Sequence, residues 1–237
     1  MEQWQSFLVV IAIQLAIFVF GARLRGEGIR KLCKVLAGAI VLGIIFGSVF
    51  DLLLGSLARI FTYTVALTPI FVIVNGAFSY GLALATAWLF PIAFNVPHPP
   101  EQLGLVLLIS AGAAAFMPAV LVLGPISSML IFGAVVLLAG EGVVTLVGHT
   151  GPLLRLFLGD RKPFFMLWFF SIVVGALYEM ANAISRLWSW RALEKWPAWA
   201  AEPCVILLGY FVLFHAMLIV MRLIVDQRFL KSGPSSS

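Results

Sequence analysis

Apolar residues fall in seven long blocks along this chain, at 5–22, 35–59, 64–90, 102–123, 125–147, 163–186 and 203–225. Most of the charge lies in the short stretches between them. A helix crosses the hydrocarbon core of a bilayer with about 20 apolar residues. The pattern therefore predicts seven transmembrane helices and an all-α, polytopic membrane protein. The breaks suit that reading. Pro91, Pro97, Pro99 and Pro100 end the third block, and Gly124-Pro125 separates the fourth from the fifth. Pro163 and Pro203 stand where the sixth and seventh helices are expected to open, since a first-turn residue has no use for its N–H.

Composition agrees. The chain has 237 residues, 62% of them hydrophobic and 11% charged, with a mean hydropathy of +1.11. Average soluble domains carry about 25% charged residues. A soluble enzyme, a disordered protein and a nucleic-acid-binding domain are excluded, the last because the net charge of +5 comes from basic residues set between apolar runs. Cys33 and Cys204 are too few for a disulfide framework or a cysteine metal site. No metal or cofactor is expected. His98, His149 and His215 fall in three different layers, which excludes bis-histidine haem.

The basic residues set an orientation. Arg23, Arg25, Arg30, Lys31, Lys34, Arg155, Arg161, Lys162, Arg222, Arg228 and Lys231 fall on one side, eleven against the four on the other, Arg59, Arg186, Arg191 and Lys195. The positive-inside rule puts the N-terminus outside and the C-terminus in the cytoplasm, and a bacterial inner membrane is the expected location. Residues 1–230 read as one transmembrane domain and 231–237 as a disordered tail. Trp188, Trp190, Trp196 and Trp199 cluster in the sixth loop, as tryptophans at a headgroup zone do.

A weak self-similarity organises the spans. Gly47-Ser-Val-Phe-Asp51 and Gly175-Ala-Leu-Tyr-Glu179 share a glycine, two residues, an aromatic and a carboxylate, 128 residues apart. Arg59 follows the first carboxylate by eight residues and Arg186 the second by seven, each returning to about the same helix face. Tyr63 and Trp190 come next, then Pro69…Gly76 and Pro203…Gly209. Lys34 to Asp51 and Lys162 to Glu179 are both 17 residues, so the carboxylates lie at equal depth, roughly 25 Å above the basic edge. The expectation is a 3+1+3 parallel repeat: 5–90, a linker helix 102–123, and 125–225. Gln14 and Glu141 take similar places in spans one and five. Its pseudo-twofold axis runs along the membrane normal.

Carboxylates inside a membrane cost about 2.5–3.5 kcal/mol on insertion scales and face the bundle interior. Asp51 and Glu179 are therefore the candidate chemical groups, with Tyr178 and Asn182 as neighbours able to hydrogen-bond Glu179. Poorly solvated carboxyls hold protons more readily, as a general acid toward an alkene or a proton carrier requires. The competing reading pairs Asp51 with Arg59 and Glu179 with Arg186 as structural ion pairs. Glu141, between two glycines, reads as an interfacial carboxylate with His149 snorkelling nearby, and His215 as a hydrogen-bonded helix contact. Gly43 and Gly47 form a GxxxG pair suited to close packing within the bundle.

The 3+1+3 arrangement, with Gly-x-x-aromatic-carboxylate, a following Tyr or Trp and then Pro…Gly, resembles the membrane-embedded carotenoid enzymes, the tandem lycopene cyclase domains and the carotenoid hydratase family. The cyclases' proline followed by paired acids has no counterpart; the nearest stretches are Pro99-Pro100-Glu101 and Glu202-Pro203. The resemblance implies that Asp51 and Glu179 are proton donor and counter-charge to an alkene cation. Tyr63, Tyr178, Asn182, Trp190, Arg59 and Arg186 would surround an apolar isoprenoid substrate. Three functions stand at this point: an intramembrane enzyme on an isoprenoid or similar lipid, a non-catalytic subunit or scaffold of a membrane complex, and a small proton-coupled transporter. Membrane lipids are the expected surroundings, and nucleic acid is not an expected partner.

Overall fold

The computed structural model describes residues 2–57, 60–64, 68–89, 101–120 and 125–224. Arg59, the proline-rich segment 90–100, Gly124 and the tail 231–237 lie outside them. The chain forms helices α1 (Glu2–Leu24) and α2 (Ile29–Phe50), a wide π turn (Asp51–Leu57) and strand β1 (Thr62–Tyr63). Next come α3 (Pro69–Asn75), a second π turn (Gly76–Tyr80) and α4 (Gly81–Trp88), continuous with one another. Helices α5 (Glu101–Val120), α6 (Pro125–Leu146), α7 (Pro152–Phe157) and α8 (Lys162–Ser185) follow. Strand β2 (Trp188–Ser189), a 3-10 turn (Arg191–Leu193), α9 (Ala198–Cys204), a third π turn (Val205–Gly209) and α10 (Tyr210–Ile224) complete the fold.

Six helical stretches among the described residues are long and apolar enough to cross a membrane: Phe7–Leu24, Ile29–Gly55, Pro69–Trp88, Ser127–Leu146, Lys162–Ser185 and Trp199–Met221. Glu101–Phe116 is a shorter apolar helix. The protein is thus a helical, membrane-type bundle. Helix α4, buried at every residue, is the central post, with α1, α2 and α10 packed against it. The GxxxG expectation holds within the bundle. A Cβ on Gly43 would stand 2.3 Å from the Gly81 nitrogen and 2.5 Å from the Gly76 carbonyl oxygen, so α2 meets the π turn and α4 backbone to backbone.

Several boundaries differ from expectation. Helix α2 starts at Ile29, six residues before the apolar block, because extended Gly28 is its N-cap. Arg30, Lys31 and Lys34 therefore ride on the helix. The third span begins at Pro69, where the Thr68 hydroxyl accepts from the Phe71 N–H at 3.2 Å. Pro203 does not open the last span but sits inside α9. It cannot donate to the turn before it, and the helix widens into the π turn immediately afterwards. The fold is also not wholly helical. Antiparallel β1 and β2 pair Thr62 with Ser189 and Tyr63 with Trp188. This short ladder satisfies backbone groups where α8 ends in the left-handed Arg186, φ 50°.

A candidate site of two carboxylates behind an aromatic cavity

Asp51 is the first residue of the first π turn, and Glu179 lies one and a half turns before the end of α8. Both are buried. The Asp51 carboxylate accepts from three side chains: the Tyr80 hydroxyl at 2.8 Å, the Tyr63 hydroxyl at 3.1 Å and the Asn75 amide at 3.3 Å. Asn75 also donates to the Tyr63 oxygen at 3.0 Å and accepts from Ser79 at 2.8 Å. The Glu179 carboxylate accepts on Oε1 from Tyr210 at 3.0 Å, Trp190 Nε1 at 3.0 Å and Trp188 Nε1 at 3.4 Å. Each acid is thus held by a tyrosine that directly follows or closes a π turn and by an aromatic side chain at the β ladder.

Burial, with the Asp51 carboxylate beside it, holds the Tyr63 phenol well above the ordinary phenol range, so Tyr63 keeps its proton and remains a donor.

The aromatic donors line one cavity. Its empty volume is about 1030 Å³ including its open mouth. Tyr63 and Tyr80 face it from the Asp51 side, and Trp188, Trp190 and Tyr210 from the Glu179 side. The two sides are in contact. Phe61 packs edge-on to Tyr63 at 5.4 Å and to Trp190 at 5.6 Å. Tyr178 stacks on Tyr210 at 6.1 Å. Its hydroxyl donates to Gln14 Oε1 of α1 at 2.7 Å, crossing between the two halves of the chain. The carboxylates themselves stand behind these rings and do not line the cavity.

The remaining expected site residues fall differently. Arg186 is exposed, and no ion pair joins it to Glu179 among the described residues, so the structural pairing of those two is corrected. The chain leaves α8 at Arg186 in a left-handed turn, which carries its side chain away from the acid. Arg59 lies outside the described residues. Asn182 holds the ladder as well as neighbouring the acid: its amide donates to the Trp188 carbonyl and accepts from the Trp188 N–H, both at 3.0 Å, and it is also a side-chain hydrogen-bond partner of Glu179. Trp199 is 80% exposed, as an interfacial tryptophan would be, while Trp188 and Trp190 turn inward to Glu179.

A second polar cluster occupies the far end of α6. Glu141 is enclosed by protein rather than open at the surface, 2% exposed. It accepts from the Leu153 and Leu154 N–H groups at 3.0 and 3.1 Å and meets His215 Nε2 at 2.7 Å. The carboxylate thus caps the start of α7, whose orphan N–H groups need acceptors. His215 is the helix contact the sequence suggested. Among the described residues no group of three or more His, Cys, Asp or Glu is placed to hold a metal.

Sequence reasoning missed Tyr80 and Tyr210. Each lies about thirty residues from its acid, inside an apolar block where a tyrosine reads as packing. The repeat offset held the signal, since the two tyrosines are 130 residues apart and the acids 128. No family model matches this chain, and neither a curated protein nor a solved structure is significantly similar to it.

Proposed function

We propose that this chain is an intramembrane enzyme that protonates an isoprenoid or similarly apolar lipid. The observation that carries the reading is one aromatic cavity with two buried carboxylates behind it, each reached through the hydroxyl of a lining tyrosine. An apolar, ring-lined void suits a hydrocarbon better than an ion or a sugar, and so favours an enzyme over a small proton-coupled carrier. A bundle serving only as a scaffold has no use for such a void.

The two acids differ in their donors. Indole N–H groups donate only, whereas phenols donate or accept. Glu179, facing two indoles, serves its partners as an acceptor and is the counter-charge. Asp51, facing two phenols, is satisfied in either protonation state and is the proton donor. When Asp51 carries a proton, its O–H donates to the Tyr80 oxygen and frees the Tyr80 O–H to point into the cavity. The alkene electron pair then takes the Tyr80 proton to form a C–H bond, and the Asp51 proton refills the phenol. The carbocation left behind faces the rings of Phe61, Tyr63 and Trp190, a favourable cation–π setting. Loss of a neighbouring proton to the Tyr210 oxygen, as Tyr210 passes its own to Glu179, restores a double bond.

Seven spans, with α5 as the fourth, and a 3+1+3 repeat belong to the same proposal. The ladder register supports the repeat. Ser189 follows Thr62 by 127 residues, so at that offset the two are each other's counterparts, and they are also direct partners across β1 and β2. An antiparallel pair made by a twofold axis must place one residue opposite its own equivalent. The π turns Gly76–Tyr80 and Val205–Gly209 are 129 residues apart. With the N-terminus outside, the site lies in the outer part of the membrane.

The test is turnover of an acyclic isoprenoid polyene by proteoliposomes carrying wild type, Asp51→Asn or Glu179→Gln. Loss of product in Glu179→Gln with the fold retained supports the reading. Unaltered turnover in Glu179→Gln ends it.

A further inference from the structure

The cavity is walled unequally on its two flanks. On one, α1 packs along α8 and buries Phe7, Val10, Gln14, Phe18 and Ala22, a stripe recurring every three or four residues as a buried helix face does. The repeat makes α6 the counterpart of α1, and α2 the counterpart of α8. Yet α6 packs on α5 and α10 and, among the described residues, makes no comparable contact with α2. From Ser127 to Gly140 not one described residue of α6 is buried. Among the described residues one ring pair bridges the seam, Phe50 and Phe132, edge-on at 5.7 Å. Both rings line the cavity, with Leu54, Met129 and Gly133 beside them.

Outside this pair the surface stays apolar. Val49 and Leu52 are exposed on the α2 side and Leu130 on the α6 side. At the β ladder the cavity is walled by buried Ile60 and Phe61, with Leu187 and Leu193 buried beside the strands. Apolar side chains thus run from the lipid-facing surface through the seam to the acids.

We infer that the α2–α6 seam is a lateral portal through which a hydrocarbon chain dissolved in the bilayer enters the cavity, with Phe50 and Phe132 as its gate. This rests on the reading that the ligand is an apolar lipid. It adds the route, the direction of approach and the two residues that control it. The cost of passing a hydrocarbon through water is avoided, since transfer from bilayer to apolar cavity exposes no apolar surface.

The test uses full-length protein in lipid nanodiscs, with a hexadecyl diazirine as the probe and peptide mapping of the photolabel. Cys33→Ser and Cys204→Ser remove the native thiols. Phe50→Cys with Phe132→Cys then allows the seam to be bridged by a reducible bis-methanethiosulfonate cross-linker, which spans the gap that the two rings fill where a direct disulfide would not reach. Phe164→Cys with Phe211→Cys, whose rings meet at 5.0 Å between α8 and α10, is the control, bridged by the same reagent. Photolabel on the cavity-lining segment Val212–Met217 is expected with native thiols, with either unbridged pair and with the bridged control. It is expected to vanish when the Phe50/Phe132 pair is bridged and to return on reduction, while lipid-facing Phe116 labels throughout. Cavity label that survives the bridge overturns the portal. So do absence of cavity label from the starting protein, failure of the pair to be bridged within one chain, and a bridge formed between two chains. Glu179→Gln labels like wild type if the portal exists, whether or not it turns substrate over. Failure of the portal and failure of the proton chemistry are therefore read separately.

Discussion

Amide isosteres of the two acids should differ in stability, and the difference follows from which oxygen each donor uses. In Glu179 the tyrosine and both indoles donate to Oε1. Glutamine keeps that oxygen and these three bonds, and the Asn182 amide that also neighbours the acid keeps its bonds to Trp188 in either variant. In Asp51 the donors are divided, with Tyr63 and Tyr80 on Oδ1 and Asn75 Nδ2 on Oδ2. Asparagine must turn an NH₂ group either toward the two hydroxyls or toward the Asn75 amide. Turning Asn75 over to relieve this gives up its bond to Tyr63. Both substitutions lose charge assistance and both recover the desolvation of a buried carboxylate, so those terms largely cancel between them. What remains is one buried donor without an acceptor in Asp51→Asn, worth about 1–3 kcal/mol. At about 2–4 °C per kcal/mol for a chain of this size, Asp51→Asn should melt about 2–12 °C below Glu179→Gln. The assay is a thermal melt in nanodiscs, followed by intrinsic tryptophan fluorescence. Equal melting, or Glu179→Gln the lower, refutes the hydrogen-bond assignment on which the donor and counter-charge roles depend.

Three further outcomes are expected. Tyr210→Phe should keep its ring stacked on Tyr178 but lose one bond to Glu179, lowering stability by about 1–3 kcal/mol. A double-mutant cycle with Glu179→Leu, which removes the acceptor oxygen, should show coupling between the two, and additive melting temperatures would count against the contact. Gly43→Ala forces a methyl into the Gly81 backbone, so a loss of about 3 kcal/mol or failure to fold is expected. Gly112→Ala, with nothing within 4 Å of the new atom, should melt like wild type. Glu141→Ala strands the Leu153 and Leu154 N–H groups and His215 together. Each unmet group costs about 1–3 kcal/mol, so its melting temperature should fall below that of any variant at the Asp51–Glu179 site.

The spans were legible because a bilayer imposes length and apolarity on a helix, and no soluble fold produces such blocks. Their ends were less so. Gly28 and Thr68 act as caps through backbone shape and one hydroxyl, signals that a search for apolar length passes over. The acids and two of their aromatic neighbours, Tyr63 and Trp190, were found because charge inside a membrane is rare enough to stand out. The π turns were not visible, since widening a helix by one residue changes no composition. They nevertheless aim the site: Asp51 opens the first, Tyr80 closes the second, and Tyr210 follows the third. Arg186 was misassigned because helical spacing continued past α8 would have returned it to the Glu179 face. The chain leaves the helix at that residue and does not return.

The central claim is proton transfer from this site to a carbon atom, and solvent deuterium reads it directly. Proteoliposomes equilibrated in heavy water, given an acyclic isoprenoid polyene, should yield product carrying deuterium at carbon by mass spectrometry. Glu179→Gln and Tyr80→Phe proteoliposomes should yield none. Product without deuterium from the wild type, or equal incorporation in all three, would contradict the account.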